Sequence, residues 1–370
     1  MSVLRLAVIG AGHLGRIHAK LAASNEQFEV VSVVDPIEQS RQLIAQELHL
    51  PTAADYRELL GKIDAAIVAT PTVMHYEVTS DLLRSGAHVL VEKPLAHTSD
   101  QAQRLVHMAQ SHRRVLQVGH VERFNPIWTA TIPQLGKPKY IEAVRSGKFT
   151  GRSTDIGAVL DLMIHDLDLI LSIDSSPVEQ IAASGLAVLG STEDIAEARI
   201  EFASGLIATL RASRLATEAT RKMQVFGTQG YAELNFSAAG VNIIKPSEDV
   251  IFRRIALDRM TATERLEIKD QVYDKFFEVE TVHAQSRNAI LDEQNDFALS
   301  ILSGTQPVVS GADGARAVQV ASEILTCIAG RGWDGKNSRP WRMGAGAMIE
   351  PAILPLPAPA AIEQPMRKAS

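Results

Sequence analysis

Three glycines near the start of the chain constrain its fold more than any other feature. Gly10-Ala-Gly12-His-Leu-Gly15 follows the apolar run Leu4–Ile9 and opens a helical stretch from about His13 to Ala23. In a strand–turn–helix unit each glycine has its own task. One makes the tight turn, one lets a pyrophosphate approach the backbone, and one lets helix and strand pack closely. The helix N-terminus then faces the phosphates. Such a run alone is weak evidence, because a glycine turn also serves packing. Here, however, Asp35 ends the next apolar run, Val30–Val34, at the spacing of about 20 residues that a dinucleotide-binding unit requires. A carboxylate at that point bonds both ribose hydroxyls and repels a 2′-phosphate, and the next few residues carry no Arg or Lys. NAD is therefore expected over NADP, with Gly10, Gly12, His13, Leu14, Gly15 and Asp35 as its contacts.

Strand and helix signals go on alternating. Gln39–Leu48 is helical, and Asp55 to Glu58 has capping-box spacing. Ala65–Ala69 is a third buried run, followed by a helix to Arg84 that Ser85-Gly86 stops. His88–Val91 is a strand, Ser99 can cap a helix to Gln110, and Val115–Val118 is one more strand. Repeated βα units mean a parallel, doubly wound sheet, so residues 1–121 read as an NAD-binding Rossmann domain. Near Gly119 the pattern changes. Arg123–Leu135 has helical spacing despite Pro126, and Tyr140–Arg145 reads as a strand. Strand-like runs follow at Gln180–Leu189, Ile195–Phe202, Leu206–Arg211, Lys222–Phe226, Tyr231–Phe236 and Val241–Ile244, with hairpin-like breaks between them. Helices at Asn288–Leu302 and Ala315–Ala329 close the pattern.

The expectation is an α/β protein whose second domain, 122–335, has an open-faced, largely antiparallel sheet. An apolar open face is more than a monomer tolerates, so a homodimer or homotetramer through that sheet is expected. The Ala/Pro-rich tail, 336–370, reads as disordered or as a strap lying on a neighbour.

Composition excludes several classes. At 370 residues with 46% hydrophobic and 22% charged content, the chain has the profile of a soluble two-domain protein. The net charge of −6 gives no reason to expect nucleic acid or an anionic membrane as partner. No apolar run approaches the roughly 20 residues of a membrane span. The single cysteine, Cys327, forbids an internal disulfide and suits a reducing cytoplasm.

The chemistry is expected in Gly157–Asp168, GAVLDLMIHDLD. Wound as an α-helix, it places Asp161, His165 and Asp168 in one narrow stripe, with leucine, isoleucine and methionine covering the rest. Buried Asp and His need partners or a task. Asp161 and His165, at i and i+4, are neighbours on such a helix. A carboxylate beside an imidazole raises its basicity, which suits a general base. A satisfied buried pair that only helps packing fits the same residues. So does a metal site at Asp161, His165 and Asp168, although no second histidine is placed to complete it. Glu92-Lys93-Pro94 lies at the carboxyl end of a parallel strand, where ligands bind in such sheets; alone it is no more than a charged pair before a loop proline.

Taken in order, Gly10–Gly15, Ala69-Thr-Pro-Thr72 with His75, Glu92-Lys93-Pro94, Gly119-His-Val-Glu-Arg-Phe-Asn-Pro126 and Asp161-Leu-Met-Ile-His165 resemble the glucose–fructose oxidoreductase / inositol dehydrogenase / MocA family. The resemblance covers about residues 3–330. It implies an NAD-dependent sugar dehydrogenase in which His165 is the acid–base residue, Lys93 bonds the reacting hydroxyl and Asp161 orients the histidine. Thr70, Pro71, His75, Glu92 and Lys93 then join the cofactor contacts. LDLMIHDLDLIL looks most like the branch that oxidises C3 of a UDP-N-acetylhexosamine such as UDP-N-acetylglucosamine. Arg123, Asn125 and Arg152 are the candidate substrate contacts. Arg123, Arg145, Lys148 and Arg152 suit a diphosphate, and equally suit solvated surface charge. Oxidation of a free sugar or inositol by the same mechanism remains open, as does a non-catalytic NAD sensor of the same fold. The three reactive residues together argue against the sensor.

Overall fold

The computed structural model describes residues 3–151, 155–238, 240–269, 271–283 and 287–330. Six strands form the first sheet: β1 (Leu4–Ile9), β2 (Phe28–Val34), β3 (Thr52–Ala53), β4 (Ala65–Val68), β5 (His88–Glu92) and β6 (Leu116–Gly119). Their order is β3-β2-β1-β4-β5-β6 and every pairing is parallel. β4 is buried along its whole length, as a strand covered on both faces must be. The covering helices include α1 (His13–Ala23), α2 (Glu38–Leu48), α3 (Thr72–Arg84) and α4 (Ser99–His112). Strand order reverses between β1 and β4, and the carboxyl ends there form the crevice where such sheets bind ligands. Two caps differ from expectation. Thr98, one residue ahead of Ser99, caps α4 through Gln101 N–H. Asp55 caps a single 3₁₀ turn, Tyr56–Leu59, through Arg57 N–H.

The link to the second sheet is not the continuous helix expected over Arg123–Leu135. Pro126 lacks an N–H and crowds the turn before it, so it begins a short helix, α5 (Pro126–Thr131), with Asn125 as its cap. 3₁₀ turns at Val121–Phe124 and Ile132–Gln134 flank it.

The second sheet comprises β7 (Pro138–Ser146), β8 (Val178–Leu186), β9 (Ile195–Phe202), β10 (Ile207–Ser213), β11 (Thr220–Gly227), β12 (Tyr231–Asn235), β13 (Gly240–Pro246) and β14 (Phe277–His283). Their order is β14-β13-β12-β11-β7-β10-β9-β8. All pairs are antiparallel except β7 with β10. The α/β class and the largely antiparallel second sheet stand as expected. The edge strand β14 and the short helices before it, α7 (Glu248–Ile251), α8 (Ala262–Lys269) and α9 (Val272–Phe276), are additions.

α6 (Ile164–Ile173) lies on the inner face of this sheet, and its burial is nearly complete. The closing helices, α10 (Ala289–Ser303) and α11 (Gly311–Ala329), return toward the first sheet. Phe297 and Ala298 of α10 share one apolar cluster with Leu6 and Val8 of β1 and Ala19 of α1. A division of the chain at residue 121 therefore separates α10 from the core it completes.

The outer face of the second sheet is not the apolar surface expected. Glu142, Glu197, Arg199, Arg211 and Glu233 are exposed along it, with Arg199 paired to Glu201 and Lys222 to Glu233. Alternation along half-buried strands puts such polar residues outward. An aromatic cluster, Tyr140–Phe226–Tyr231, stands among them, with ring centroids 6.0 and 5.1 Å apart. No helix among the described residues is long and apolar enough to cross a membrane. The tail, 336–370, lies outside the described residues.

Candidate active site

The glycine turn after β1 has the three distinct environments its mechanism requires. Gly10 has φ +103°, and a Cβ there would stand 2.5 Å from the Ala69 carbonyl oxygen. A Cβ on Gly15 would stand 1.9 Å from the Gly10 carbonyl oxygen, so only glycine lets α1 sit this close to β1. A Cβ on Gly12 would meet nothing within 4 Å. Gly12 is the N-cap of α1, and no side chain caps the helix there. Backbone N–H groups in open space at a helix start fit a pyrophosphate. Asp35 takes up its position after β2, accepting from Ala11 N–H at 2.8 Å and Ile37 N–H at 2.9 Å. Arg41, which local spacing overlooked, reaches back to the carbonyls of Asp35 and Pro36 and braces this turn. His13 and Leu14 are exposed beside Gly12. These residues fit NAD: open backbone for its phosphates and a carboxylate for its adenosine ribose.

Two loops border the other half of the crevice. Thr70 and Pro71 follow β4, with Pro71 exposed. His75 does not face the crevice. It is buried, and its ring nitrogens lie 2.7 Å from Pro94 O and 3.0 Å from Thr70 O. It ties the two loops together from beneath. Glu92 is likewise buried, 2.8 Å from His18 Nε2. Burial pushes the Glu92 carboxyl up, but the hydrogen bond and charge of His18, with help from Lys93, hold it below the ordinary value. Glu92 thus anchors the loop that carries Lys93. Gly119 on β6 keeps the adjacent space clear, since a Cβ there would be 3.0 Å from Glu92 Oε2.

Lys93 crosses to the second half of the molecule. Its Nζ donates to Asp161 O at 2.8 Å and Asp161 Oδ1 at 3.1 Å. The expected Asp161–His165 pairing is not formed. Val159–Met163 is a π-helical turn and the α-helix begins only at Ile164. The wider turn breaks the i, i+4 stacking of these two side chains, and the Lys93 ammonium takes the carboxylate. Glu193 sets this entry, receiving Val159 N–H on Oε1 at 2.9 Å and Ala158 N–H on its carbonyl at 2.8 Å. Gly157 leaves the room it occupies.

His165 is half-buried, with Nδ1 enclosed and without a hydrogen-bond partner among the described residues. Its pKa is lowered well below 6.5, first by burial and then by Lys93, Arg145, His120 and Arg221. The ring is therefore neutral near pH 7 and able to accept a proton.

The expected substrate contacts fare differently. Arg123 is bidentate to Asp168, at 2.7 and 3.1 Å, and so is committed inside the protein. Arg145 is buried between Asp166 at 2.8 Å and Glu122 at 2.9 Å. Asn125 caps α5 and donates to Glu122 Oε2 at 3.0 Å. Arg152 lies outside the described residues. Lys148 is exposed. Arg221, which the sequence did not single out, stands opposite Arg145 on β11 with the inward parity of Met223 and Val225. Its guanidinium makes no hydrogen bond or ion pair among the described residues, and it lies close enough to His165 to affect its charge. His120, part of the Gly119–Pro126 motif but given no role from the sequence, has a buried ring that stands edge-on to that of His165. Among the described residues no group of three or more His, Cys, Asp or Glu could hold a metal ion.

The sequence matches two family models. One, described as an oxidoreductase family with an NAD-binding Rossmann fold, covers residues 4–120. The other, a GFO/IDH/MocA C-terminal domain, covers residues 133–233. UDP-N-acetylglucosamine 3-dehydrogenase of Acidithiobacillus ferrooxidans is 36% identical over 63% of this chain and 74% of its own. The scyllo-inositol 2-dehydrogenase (NAD(+)) of Bacillus subtilis is 28% identical over 61% of this chain and 72% of its own. A solved structure of the Acidithiobacillus enzyme superposes with a TM-score of 0.76 at 30% identity, covering 89% of this chain and 98% of that one.

Proposed function

The chain belongs to the GFO/IDH/MocA family of NAD-binding oxidoreductases, and on that premise we propose that it oxidises a ring hydroxyl of a nucleotide sugar, C3 of a UDP-N-acetylhexosamine such as UDP-N-acetylglucosamine. The observation that carries the chemistry is the Lys93 ammonium, at the carboxyl end of β5, bonded to Asp161 four residues before the half-buried imidazole of His165. NAD, when bound, supplies the hydride acceptor. His165 takes the hydroxyl proton at Nε2. Lys93 donates to the oxygen as negative charge grows on it. Asp161 orients that ammonium rather than the imidazole. His75, Glu92 and His18 hold the loops that place Lys93.

The substrate assignment draws on the UDP-N-acetylglucosamine relative and on Arg221, an uncommitted cation on the His165 side of the sheet, where a diphosphate suits its fork. A free cyclic polyol is the second reading. It is favoured by the commitment of Arg123 and Arg145 to internal carboxylates and by the inositol dehydrogenase relative.

A panel of UDP-sugars, free sugars and inositols with NAD⁺, followed by NADH absorbance, decides. UDP-N-acetylglucosamine should turn over, and Arg221→Ala should raise its KM about tenfold or more with little change in kcat. Turnover of inositol alone, or an unchanged KM in the variant, would sink the nucleotide-sugar reading. We also propose assembly as a dimer or tetramer through the outer face of the second sheet, around the Tyr140–Phe226–Tyr231 cluster.

A further inference from the structure

The helix that carries His165 and the turn before it hold three other ionisable side chains, and all are spoken for. Asp161 pairs with Lys93 at 3.1 Å, Asp166 with Arg145 at 2.8 Å and Asp168 with Arg123 at 2.7 Å. None of them bonds His165. Once His165 has accepted a proton, its Nδ1–H has no carboxylate among the described residues to receive it, and Lys93, Arg145, His120 and Arg221 all disfavour the imidazolium.

His120 is the nearby ring that can respond. It is 1% exposed, at the carboxyl end of β6. Its ring is edge-on to His165, with centroids 6.5 Å apart and planes at 89°. Neither of its ring nitrogens has a hydrogen-bond partner among the described residues. A neutral imidazole carries one donor and one acceptor, and leaving both unmade in a buried ring calls for a functional explanation.

We propose that His120 is the positioning residue behind the base, receiving the Nδ1 proton of His165 as His165 takes up the substrate proton at Nε2. This rests on the reading of His165 as the base and deepens it. The substrate O–H bond breaks and an Nε2–H bond forms. The Nδ1–H bond breaks and an N–H bond forms on His120; no hydrogen bond joins the rings at a centroid separation of 6.5 Å, so the transfer requires one ring to turn toward the other or a water to enter between them. His165 ends neutral with its tautomer exchanged, and the positive charge moves to His120.

The surroundings of His120 hold its pKa below the ordinary value, so a proton received there is readily given back. Burial disfavours the charged ring, Asp168 of α6 and Glu92 of β5 favour it, and Arg123 and Lys93 oppose it. Further out, Glu293 of α10 shares its field with Glu92 and Asp168. Asp313 of α11 stands 3.9 Å from Arg123, and His18 bonds Glu92.

The test uses the NAD-loaded full chain with isotope-labelled histidine, comparing wild type, His120→Phe and His120→Gln by NMR titration and by the pH dependence of kcat. Phe keeps ring volume without nitrogens. Gln keeps hydrogen bonding but cannot carry the proton. In His120→Phe the His165 midpoint should rise, since His120 is one of the neighbours that lower it, while turnover still falls because the acceptor for the Nδ1 proton is gone. With UDP-N-acetylglucosamine as substrate, kcat should fall about 10²-fold in both variants while KM for NAD stays within about twofold. An unmoved His165 midpoint, or wild-type kcat in His120→Gln, would overturn the proposal. Should His120→Phe fail to fold, the titration and kcat of His120→Gln decide alone. The titration needs no sugar, so failure of UDP-N-acetylglucosamine to react would count against the substrate assignment and leave the His120 result to stand by itself.

Discussion

His165 stays neutral because burial strips water from its ring and the Lys93, Arg145, His120 and Arg221 neighbours all oppose a further charge. The sign for activity follows. A lowered pKa leaves the base unprotonated as the pH drops, so the acid limb of kcat/KM should lie below pH 6.5. His165→Ala should reduce turnover by about 10²–10⁴ and abolish that limb while NAD affinity stays nearly intact. Lys93→Met should also lower turnover, and by removing a cation near the ring it should move the limb up toward pH 6.5. Stopped-flow pH profiles with NAD titrations check both. Near-normal turnover in His165→Ala would mean that the base lies elsewhere. The spacing around Asp161 and His165 and the run Glu92-Lys93-Pro94 singled out the candidate reactive residues. Which charge pairs with which was not legible there.

At the level of elements, the β1–turn–α1 unit separates packing from binding. Gly15→Ala would drive a Cβ into the Gly10 carbonyl, 1.9 Å away, and push α1 from the sheet. It should cost about 1–3 kcal/mol, as overpacking does, visible as a lower midpoint in denaturant. Gly12→Ala adds a Cβ where nothing lies within 4 Å, at an ordinary negative φ of −66°. The free protein should keep its stability, yet NAD should bind about tenfold or more weakly, because the methyl group occupies the approach of the phosphates. Calorimetry on both variants makes the comparison; equal effects on stability would refute the division of roles. The same scale shows where periodicity misleads. The stripe expected on Gly157–Asp168 assumes 3.6 residues per turn throughout, and the π-turn at Val159–Met163 cancels it for Asp161.

At the scale of the whole molecule, the inner face of the second sheet is closed by α6 and α11, while its outer face carries ion pairs around an aromatic cluster. A second copy covering Tyr140, Phe226 and Tyr231 would bury that cluster and leave the charged rim wet, as stable interfaces do. Sedimentation at micromolar concentration should therefore find a dimer or tetramer, and Phe226→Glu should shift it toward monomer. A monomeric wild type would refute assembly. An unshifted Phe226→Glu would place the contact elsewhere.

The parallel sheet, the tasks of the three glycines and the place of Asp35 follow from the sequence by itself. Each depends on local matters: strand hydrophobicity, a turn that only Gly10 can make, a fixed number of residues to the end of β2. The partners of charged groups were decided only in three dimensions. Lys93 meets Asp161 from 68 positions away and Arg123 meets Asp168 from 45, and both choices depend on how two sheets dock. The same docking buries His120 against His165 and brings α10 back to the core of β1. A local pattern tells which residues seek partners; the distances that select the partner exist only once the elements have packed.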